Sequence, residues 1–373
     1  MTPKNVLYVD FYSFVGGGQV NLLSLFKGIN RKRYRPLLAL PSEGPFAERA
    51  RALGVPVFIL PMGKARWRRF WEAVPAFFRL RNLMRQQRIV LVHANCYPAN
   101  KLAGPAANSL GLSCLWHKQI AVTQKPGSST GWLWKFFSRY NARVLAVSRQ
   151  GFEGLKALGI PESKLRLLYN NADTRRFSGA RPLSASAKKK FGLPAGRPLV
   201  LAAGGRRAHK GFDVFLKAAA LVRGKAHFAL LGDATPSEPA HEALLEKLAS
   251  ELKLQGRLTV LPAQPDLASW LKSASVFVSP SRWEGSSLVV IEAMASGAAI
   301  VATAQGSGEL LKDGVTGWLC QAEDARGLAR QIEAALKSAP ERAKLGRKAL
   351  AEASRRFSLK AYVGDLMALY DQL

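Results

Sequence analysis

Cysteine is scarce in this chain: Cys96, Cys114 and Cys320 are the three in 373 residues, an odd number without metal-ligand spacing. That excludes a disulfide framework and a cysteine-built zinc site, and it points to a reducing compartment. Long apolar runs are also missing; the most apolar stretch, residues 288–304, is interrupted by Glu292. No membrane-spanning helix is therefore expected. The first residues form a short strand-like run ending at Asp10, which does not read as a signal peptide. The expectation is a cytoplasmic protein, with contact at the inner face of the cell membrane left open. Acidic residues are few, 25 against 55 Lys and Arg, a net charge of +30. The imbalance is uneven: residues 1–180 hold 28 basic and 7 acidic side chains, residues 181–373 hold 27 and 18. Such a surface suits nucleic acid, anionic lipid or a phosphorylated substrate. No nucleic-acid-binding motif of the usual kinds is present and the basic residues form no tail, so nucleic acid is not expected. A soluble protein from a basic proteome would explain part of the charge, and its asymmetry poorly.

What is present is a long alternation of short apolar runs and amphipathic segments. The first half offers strands at 6–9, 36–40, 57–60, 90–93, 113–117 and 144–147; the second at 199–203, 228–231, 258–261, 276–279 and 299–302. Strands alternating with helices imply parallel sheets covered on both faces. The length favours two cores over one. The periodic pattern lapses between 177 and 198, where Pro, Ser, Ala and a lysine run intervene. The reading is an α/β chain of two doubly wound, Rossmann-like domains facing across a cleft. An N-terminal domain covers 1–177, a linker 178–197 and a second domain 198–355. A last helix, 356–373, is expected to return to the N-terminal domain. Ligands of doubly wound sheets bind beyond the carboxyl ends of the strands.

The most informative stretch is 279–297, SPSRWEGSSLVVIEAMASG. A strand ends, a polar loop carries Glu284, and a helix starts near Ser286 or Ser287, carries Glu292 in its second turn and stops at Gly297. Between the two carboxylates lie free backbone amides and the positive end of a helix dipole, an anion site. A sugar nucleotide has the matching order of sugar hydroxyls, diphosphate and ribose hydroxyls. A solvated Glu292 and a capping Glu284 are the alternative, but the apolar neighbours 288–291 and 293–294 bury this helix, and a buried carboxylate needs a partner. After the strand at 199–203 comes GGRRAHKG, in which Gly204 and Gly205 allow close backbone approach and Arg206 and Lys210 flank a turn. Both cations can converge on a diphosphate and neutralise a leaving group, although loop cations are commonly just solvated. A third loop, Gly16, Gly17, Gly18 and Gln19, opens a helix after the first strand; alone it is a weak phosphate-loop signal, but flexible glycines at a helix N-terminus suit contact with the donor phosphates from the opposite domain. No Asp-x-Asp occurs, which argues against a metal-bridged diphosphate. Cationic side chains and a helix N-terminus can replace the metal, so no metal and no cofactor beyond the nucleotide-sugar substrate are expected.

These residues together resemble the retaining glycosyltransferases of the GT-B fold, specifically the bacterial type of family 4, the glycosyl transferases group 1. The family's Glu, seven residues, Glu pattern is matched by Glu284 and Glu292. Supporting matches are GGGQ at 16–19, AVS at 146–148, NNAD at 170–173 with Phe177, GGRRAHKG at 204–211, LGD at 231–233 and KDGVTGWL at 312–319. The resemblance implies that Arg206 and Lys210 hold the diphosphate and that Glu292 binds the ribose. It places Glu284 near the donor sugar and the amides of Ser286, Ser287 and Leu288 near phosphate or sugar. It implies that Ala263 and Gln264 meet the base, UDP- or GDP-linked, and that His117 lines the catalytic cleft. It also implies front-face attack with the departing phosphate as base. A satisfied strand-end histidine is the alternative for His117. His93, at another strand end, is an acceptor-side candidate. The usual Asn-Gly of the hinge motif is Asn170-Asn171 here, and Asn tolerates the left-handed backbone that glycine supplies. The loop after Glu284 reads Gly-Ser-Ser-Leu rather than Gly-Phe-Gly-Leu, and the base-side loop lacks its common glycine.

Residues 64–88 carry Lys64, Arg66, Arg68, Arg69, Arg79, Arg81, Arg85 and Arg88 interleaved with Trp67, Phe70, Trp71, Phe77 and Phe78, opposed only by Glu72. This pattern reads as contact with an anionic membrane surface, and the acceptor is then a saccharide or a lipid-linked precursor of a cell-envelope polysaccharide or lipopolysaccharide. The similar stretch 132–140 reads instead as core-facing aromatics. A storage-glycan synthase or phosphorylase with a soluble acceptor, or a non-catalytic nucleotide-binding protein, are the competing readings.

Overall fold

The computed structural model describes residues 2–63, 70–119 and 127–373, with the side chains of 70–72 outside the description. The chain forms two compact units, Met1–Asn171 with Leu359–Leu373, and Ala172–Ser358.

The first unit holds β1 (Lys4–Val9), β2 (Tyr34–Leu40), β3 (Val57–Ile59), β4 (Ile89–Ala94), β5 (Ser113–Lys118), β6 (Arg143–Ala146) and β7 (Leu165–Leu167). They form one sheet in the order β3-β2-β1-β4-β5-β6-β7, every pair parallel. The strand β1 shows why. Val6, Leu7, Tyr8 and Val9 are all fully buried, because a parallel sheet has helices on both faces. Successive side chains alternate: Val6 and Tyr8 join one core cluster, Leu7 and Val9 the other. The helix Leu359–Asp371 packs on the Tyr8 face beside the helix Gly17–Gly28, burying Tyr362, Leu366 and Tyr370 in that cluster.

The second unit holds β8 (Leu199–Ala203), β9 (His227–Leu231), β10 (Leu258–Leu261), β11 (Val276–Ser279), β12 (Ile300–Thr303) and β13 (Trp318–Cys320). They run parallel in the order β10-β9-β8-β11-β12-β13. Residues 178–197, read from sequence as a linker, lie within this unit and include the helix Ala185–Lys190, capped by Ser184. Each sheet reverses its strand order once, between β1 and β4 and between β8 and β11, and such switch points open a crevice at the strands' carboxyl ends. At the hinge motif, neither Asn170 nor Asn171 takes a positive φ. The left-handed backbone invoked for Asn171 is not adopted; its side-chain amide instead donates to Asn21. Among the described residues no helix is long and apolar enough to cross a membrane.

Candidate active site

The loops that follow β8 and β11 meet at the switch point of the second sheet. Gly211 makes this possible. Its φ is +66°, and a Cβ there would lie 2.1 Å from the Pro280 carbonyl oxygen, so only glycine lets the two loops touch. Arg282 laces them further, donating to both carboxylate oxygens of Asp213 at 2.8 Å, and His209 stacks on Trp283 with ring centroids 4.5 Å apart. The result is a braced platform on which the Lys210 ammonium donates to Glu284 Oε1 at 2.5 Å, while Ser281 Oγ donates to the same oxygen at 2.8 Å. The Lys210 and Glu284 side chains are 19% and 11% exposed, which shields their pairing from solvent.

Arg206 is placed differently. Its guanidinium grips Glu242, on the helix Pro239–Glu251, through Nε and Nη2 at 2.8 Å each, and Nη1 donates to the Gly232 carbonyl at 2.8 Å. The structure thus joins Lys210 to Glu284 and Arg206 to Glu242. Gly205 has no atom within 4 Å of where its Cβ would be, leaving the backbone beside Arg206 open to a ligand.

The helix Leu288–Ser296 begins one to two residues after the sequence-expected start, with Ser287 as N-cap and Gly297, in left-handed conformation, closing it. No side chain caps its N-terminus, and the buried Ser287 Oγ has no hydrogen-bond partner among the described residues. Ser286 and Ser287 are 7% and 3% exposed. First-turn amides lack intrahelical partners and carry the positive end of the dipole. One turn on stands Glu292, half-buried; burial pushes its carboxyl up to about 7, against the attraction of Arg176. Arg176 also donates to the Pro265 carbonyl at 3.4 Å, so it joins Glu292 to the loop of Ala263 and Gln264. Ala263 is positioned by its own amide, which donates to Asp233 Oδ1 at 2.9 Å. Sequence reasoning missed Arg176. Its signal was the helix Thr174–Ser178, capped by Asp173, which carries two adjacent arginines directly after the hinge motif.

In the first unit a buried hydrogen-bond network ties the glycine loop to β1 and β4. Asp10, wholly buried, accepts from the Phe11 and Tyr12 amides at 2.7 and 3.0 Å, from Gln19 Nε2 at 2.9 Å and from Asn95 Nδ2 at 2.6 Å. Gln19 in turn accepts from the Gly16 amide at 3.1 Å. A Cβ on Gly18 would press within 3.1 Å of Gln119, whose amide donates to Asn95 at 2.8 Å. Gly16 caps the helix that opens with Gly17. Neither Asp10 nor Asn95 stood out in the sequence, although both follow strands adjacent at the switch point. His93 and His117, on β4 and β5, are both wholly buried and joined through His93 Nε2 and His117 Nδ1 at 3.2 Å. Burial lowers both, His117 to about 3, so both imidazoles are neutral. Next along β5 and on its opposite face, the Lys118 ammonium lies 4.6 Å over the Trp134 ring, and burial lowers it to about 7.

Of the basic, aromatic stretch 64–88, Lys64, Arg66, Trp67, Arg68 and Arg69 lie outside the described residues, as do the side chains of Phe70, Trp71 and Glu72. In the rest of the helix Phe70–Gln86, Ala76, Leu80, Leu83 and Met84 are buried while Val74 and Phe78 are each 53% exposed. In 132–140 the core-facing expectation holds for Trp134, 4% exposed, but not for Trp132, which is 62% exposed and stacks on Phe136.

Residues 15–176 match the family model described as Glycosyltransferase Family 4, and residues 184–351 the model described as Glycosyl transferases group 1. The lipopolysaccharide core biosynthesis mannosyltransferase LpsB of Rhizobium meliloti is 29% identical over 65% of this chain and 69% of its own length. A D-inositol 3-phosphate glycosyltransferase of Xylanimonas cellulosilytica is 31% identical over 61% of this chain and 56% of its own length. Beyond LpsB the match spans about half the length of such curated relatives. The crystal structure of Anabaena HepE in complex with UDP and glucose superposes with a TM-score of 0.88 at 20% identity, covering 99% of this chain and 100% of that one.

Proposed function

This chain is a glycosyltransferase of the GT-B fold, and on that premise we propose that it is a retaining, metal-independent enzyme. It moves a sugar from a nucleotide-sugar donor to a saccharide or lipid-linked acceptor in the assembly of cell-envelope polysaccharide or lipopolysaccharide. The observation that carries this is the row formed by Glu284 paired with Lys210, the uncapped helix start at Ser287, and Glu292 one turn further. Glu284 recognises sugar hydroxyls, the amides and Lys210 receive the diphosphate, and Glu292 accepts from the ribose. Arg206 joins the diphosphate by exchanging one anionic partner, Glu242, for another.

In the reaction the bond between the anomeric carbon and the β-phosphate oxygen breaks, and positive charge grows on the sugar ring. Cations and oriented amides stabilise the departing phosphate, the site of growing negative charge. The acceptor hydroxyl attacks the anomeric carbon on the face the phosphate leaves, and its proton passes to a phosphate oxygen. Glu284 suits hydroxyl recognition rather than nucleophilic attack, because one of its oxygens is engaged by both Lys210 and Ser281. The lipopolysaccharide core activity of the Rhizobium meliloti relative supports the envelope setting.

The test is a thermal-shift series with UDP, GDP, ADP and their sugars, since a ligand bound only by the native state raises stability. One nucleotide should stabilise the protein, and its sugar conjugate should be consumed on addition of a lipid-linked acceptor. No stabilisation by any of them would refute the reading. For the membrane, the exposed Val74 and Phe78 and the basic composition of 64–88 support peripheral contact with anionic lipid. Sedimentation with anionic vesicles should exceed that with neutral ones and fall with salt; equal sedimentation would remove the proposal.

A further inference from the structure

Two carboxylates from one helix reach into the loop that follows β8. Glu238 and Glu242 stand at the start of the helix Pro239–Glu251, Glu238 as its N-cap and Glu242 in its first turn. Residues four apart on a helix are neighbours on its surface, and Pro239 opens the helix with the fixed φ that its first position needs. Glu238 Oε2 accepts from the Ala208 amide at 2.8 Å. Glu242 accepts from Arg206 Nε and Nη2 at 2.8 Å each. The backbone of the loop is tied to the same neighbourhood, because the Arg206 amide donates to the Asp233 carbonyl at 2.9 Å. All of these groups belong to the second unit.

The way both carboxylates are used is informative. An acidic N-cap commonly accepts from an amide of its own first turn. The Glu238 side chain makes no such bond; it crosses to a loop amide instead. Glu242 takes one edge of the guanidinium through two N–H bonds, the same demand that a phosphate makes of an arginine. The loop assigned to the diphosphate therefore already holds two anions, one on a backbone amide and one on the arginine fork. The Arg206 and Glu242 side chains are 13% and 23% exposed, so solvent screens their pairing only in part.

We propose that Glu238 and Glu242 are an internal competitor for the diphosphate, and that they set how tightly the second unit holds a nucleotide. This rests on the assignment of Arg206 to the diphosphate above. Exchange is feasible because the positive end of the helix steadies both carboxylates when their partners turn to phosphate. The displaced charges stay beside the loop and oppose the ligand in proportion to its own charge. A free nucleoside diphosphate ends in a phosphate whose second ionisation falls at about pH 6; in the sugar conjugate that ionisation is blocked by the ester to the sugar. The competitor thus weakens product more than donor, and it favours departure of the nucleoside diphosphate after transfer.

The test is calorimetric titration of the full chain at pH 8 with UDP, GDP and ADP, and with the sugar conjugate of whichever binds. Glu242→Gln keeps the size of the side chain and an acceptor for Arg206 but removes the charge. Affinity for the nucleoside diphosphate should rise roughly five- to tenfold, and affinity for the sugar conjugate by less. Glu238→Gln, an independent second variant, should act in the same direction. In an Arg206→Ala background Glu242→Gln should lose most of its gain, since the competition runs through that guanidinium. Glu251→Gln removes a charge from the last residue of the same helix, where Glu251 pairs with Lys247, and should leave both affinities within about twofold. Weaker nucleotide binding by Glu242→Gln would mean that Glu242 orients Arg206 for phosphate, and it would overturn the proposal. Equal gains from Glu242→Gln and Glu251→Gln would overturn it too, reducing the effect to bulk charge. Equal gains for the free and the sugar-linked nucleotide would overturn the bias against product while leaving the competition standing. Failure of both the unmodified protein and Glu242→Gln to bind any of the three nucleotides would instead refute the diphosphate assignment itself.

Discussion

Glu292→Gln should make the ligand-free protein more stable at pH 8 while destroying its grip on the nucleotide. The ordinary carboxyl value of 4.5 is raised to about 7 by burial. Below pH 4.5 the folded and unfolded chains both hold the proton, and the group contributes nothing. Between 4.5 and 7 the unfolded chain releases a proton that the folded chain keeps, so stability falls as pH rises. Above 7 both are ionised and the whole penalty is present. At about 1.4 kcal/mol for each tenfold difference in proton affinity, the penalty is about 3 kcal/mol as an upper bound. The neutral amide removes it. For a unit of this size that corresponds to a rise in Tm of roughly 2–4 °C per kcal/mol. The assay is thermal unfolding of both proteins at pH 5 and pH 8, paired with calorimetric titration of the nucleoside diphosphate. The stability gain should be present at pH 8 and shrink towards pH 5, where the unmodified protein keeps its own proton. Ribose hydroxyls donating to Glu292 favour the ionised carboxylate, so nucleotide binding should release a proton near neutral pH and tighten as pH rises through 7. A gain of equal size at both pH values, or binding without proton release, would refute the reasoning.

Glu284→Ala acts beside the sugar, where charge develops, and should mainly lower kcat, by about ten- to a hundredfold, with the free nucleoside diphosphate's affinity scarcely changed; steady-state kinetics with a binding measurement decide it. Gly211→Ala forces a Cβ against the Pro280 carbonyl at positive φ and should cost about 2 kcal/mol or more, whereas Gly205→Ala, with open space around it, should leave Tm nearly unchanged. Activity should survive EDTA, measured by product formation after exhaustive chelation; a strict requirement for manganese or magnesium would contradict the charge-substitution argument.

Local patterns were legible in the sequence, and long-range partners were not. The strands β8 and β11 stand where apolar runs put them, since burial on both faces leaves a continuous hydrophobic signature; the edge strand β10 is only partly buried but keeps an apolar run. The edge strands β7 and β13 escaped notice, each only three residues long and the first interrupted by Arg166, whereas the equally short β3 lies in the unbroken apolar run 57–60. The helix carrying Glu292 was readable because loop, N-cap and closing glycine lie within one short stretch. The hold of Glu242 on Arg206 was invisible, its partner coming from a helix 36 residues away. Tyr370 meets His93 across 277 residues, a separation at which no spacing rule speaks. The braced state of the glycine loop was hidden for the same reason: Asn95 is 85 residues from Asp10.

The return of Leu359–Asp371 to the first sheet has a consequence for synthesis. A chain emerging from the ribosome completes its second unit, Ala172–Ser358, before the first can bury Tyr8, Leu22 and Phe26 under their last cover. Domains generally fold as units in the order they emerge; here the earliest strands must wait for the latest helix. A nascent chain stopped short of that helix would hold a finished second unit and an unfinished first one, with an apolar face still open to chaperones and proteases. Turnover competence and release from quality control would then be granted by the same segment, at the same moment.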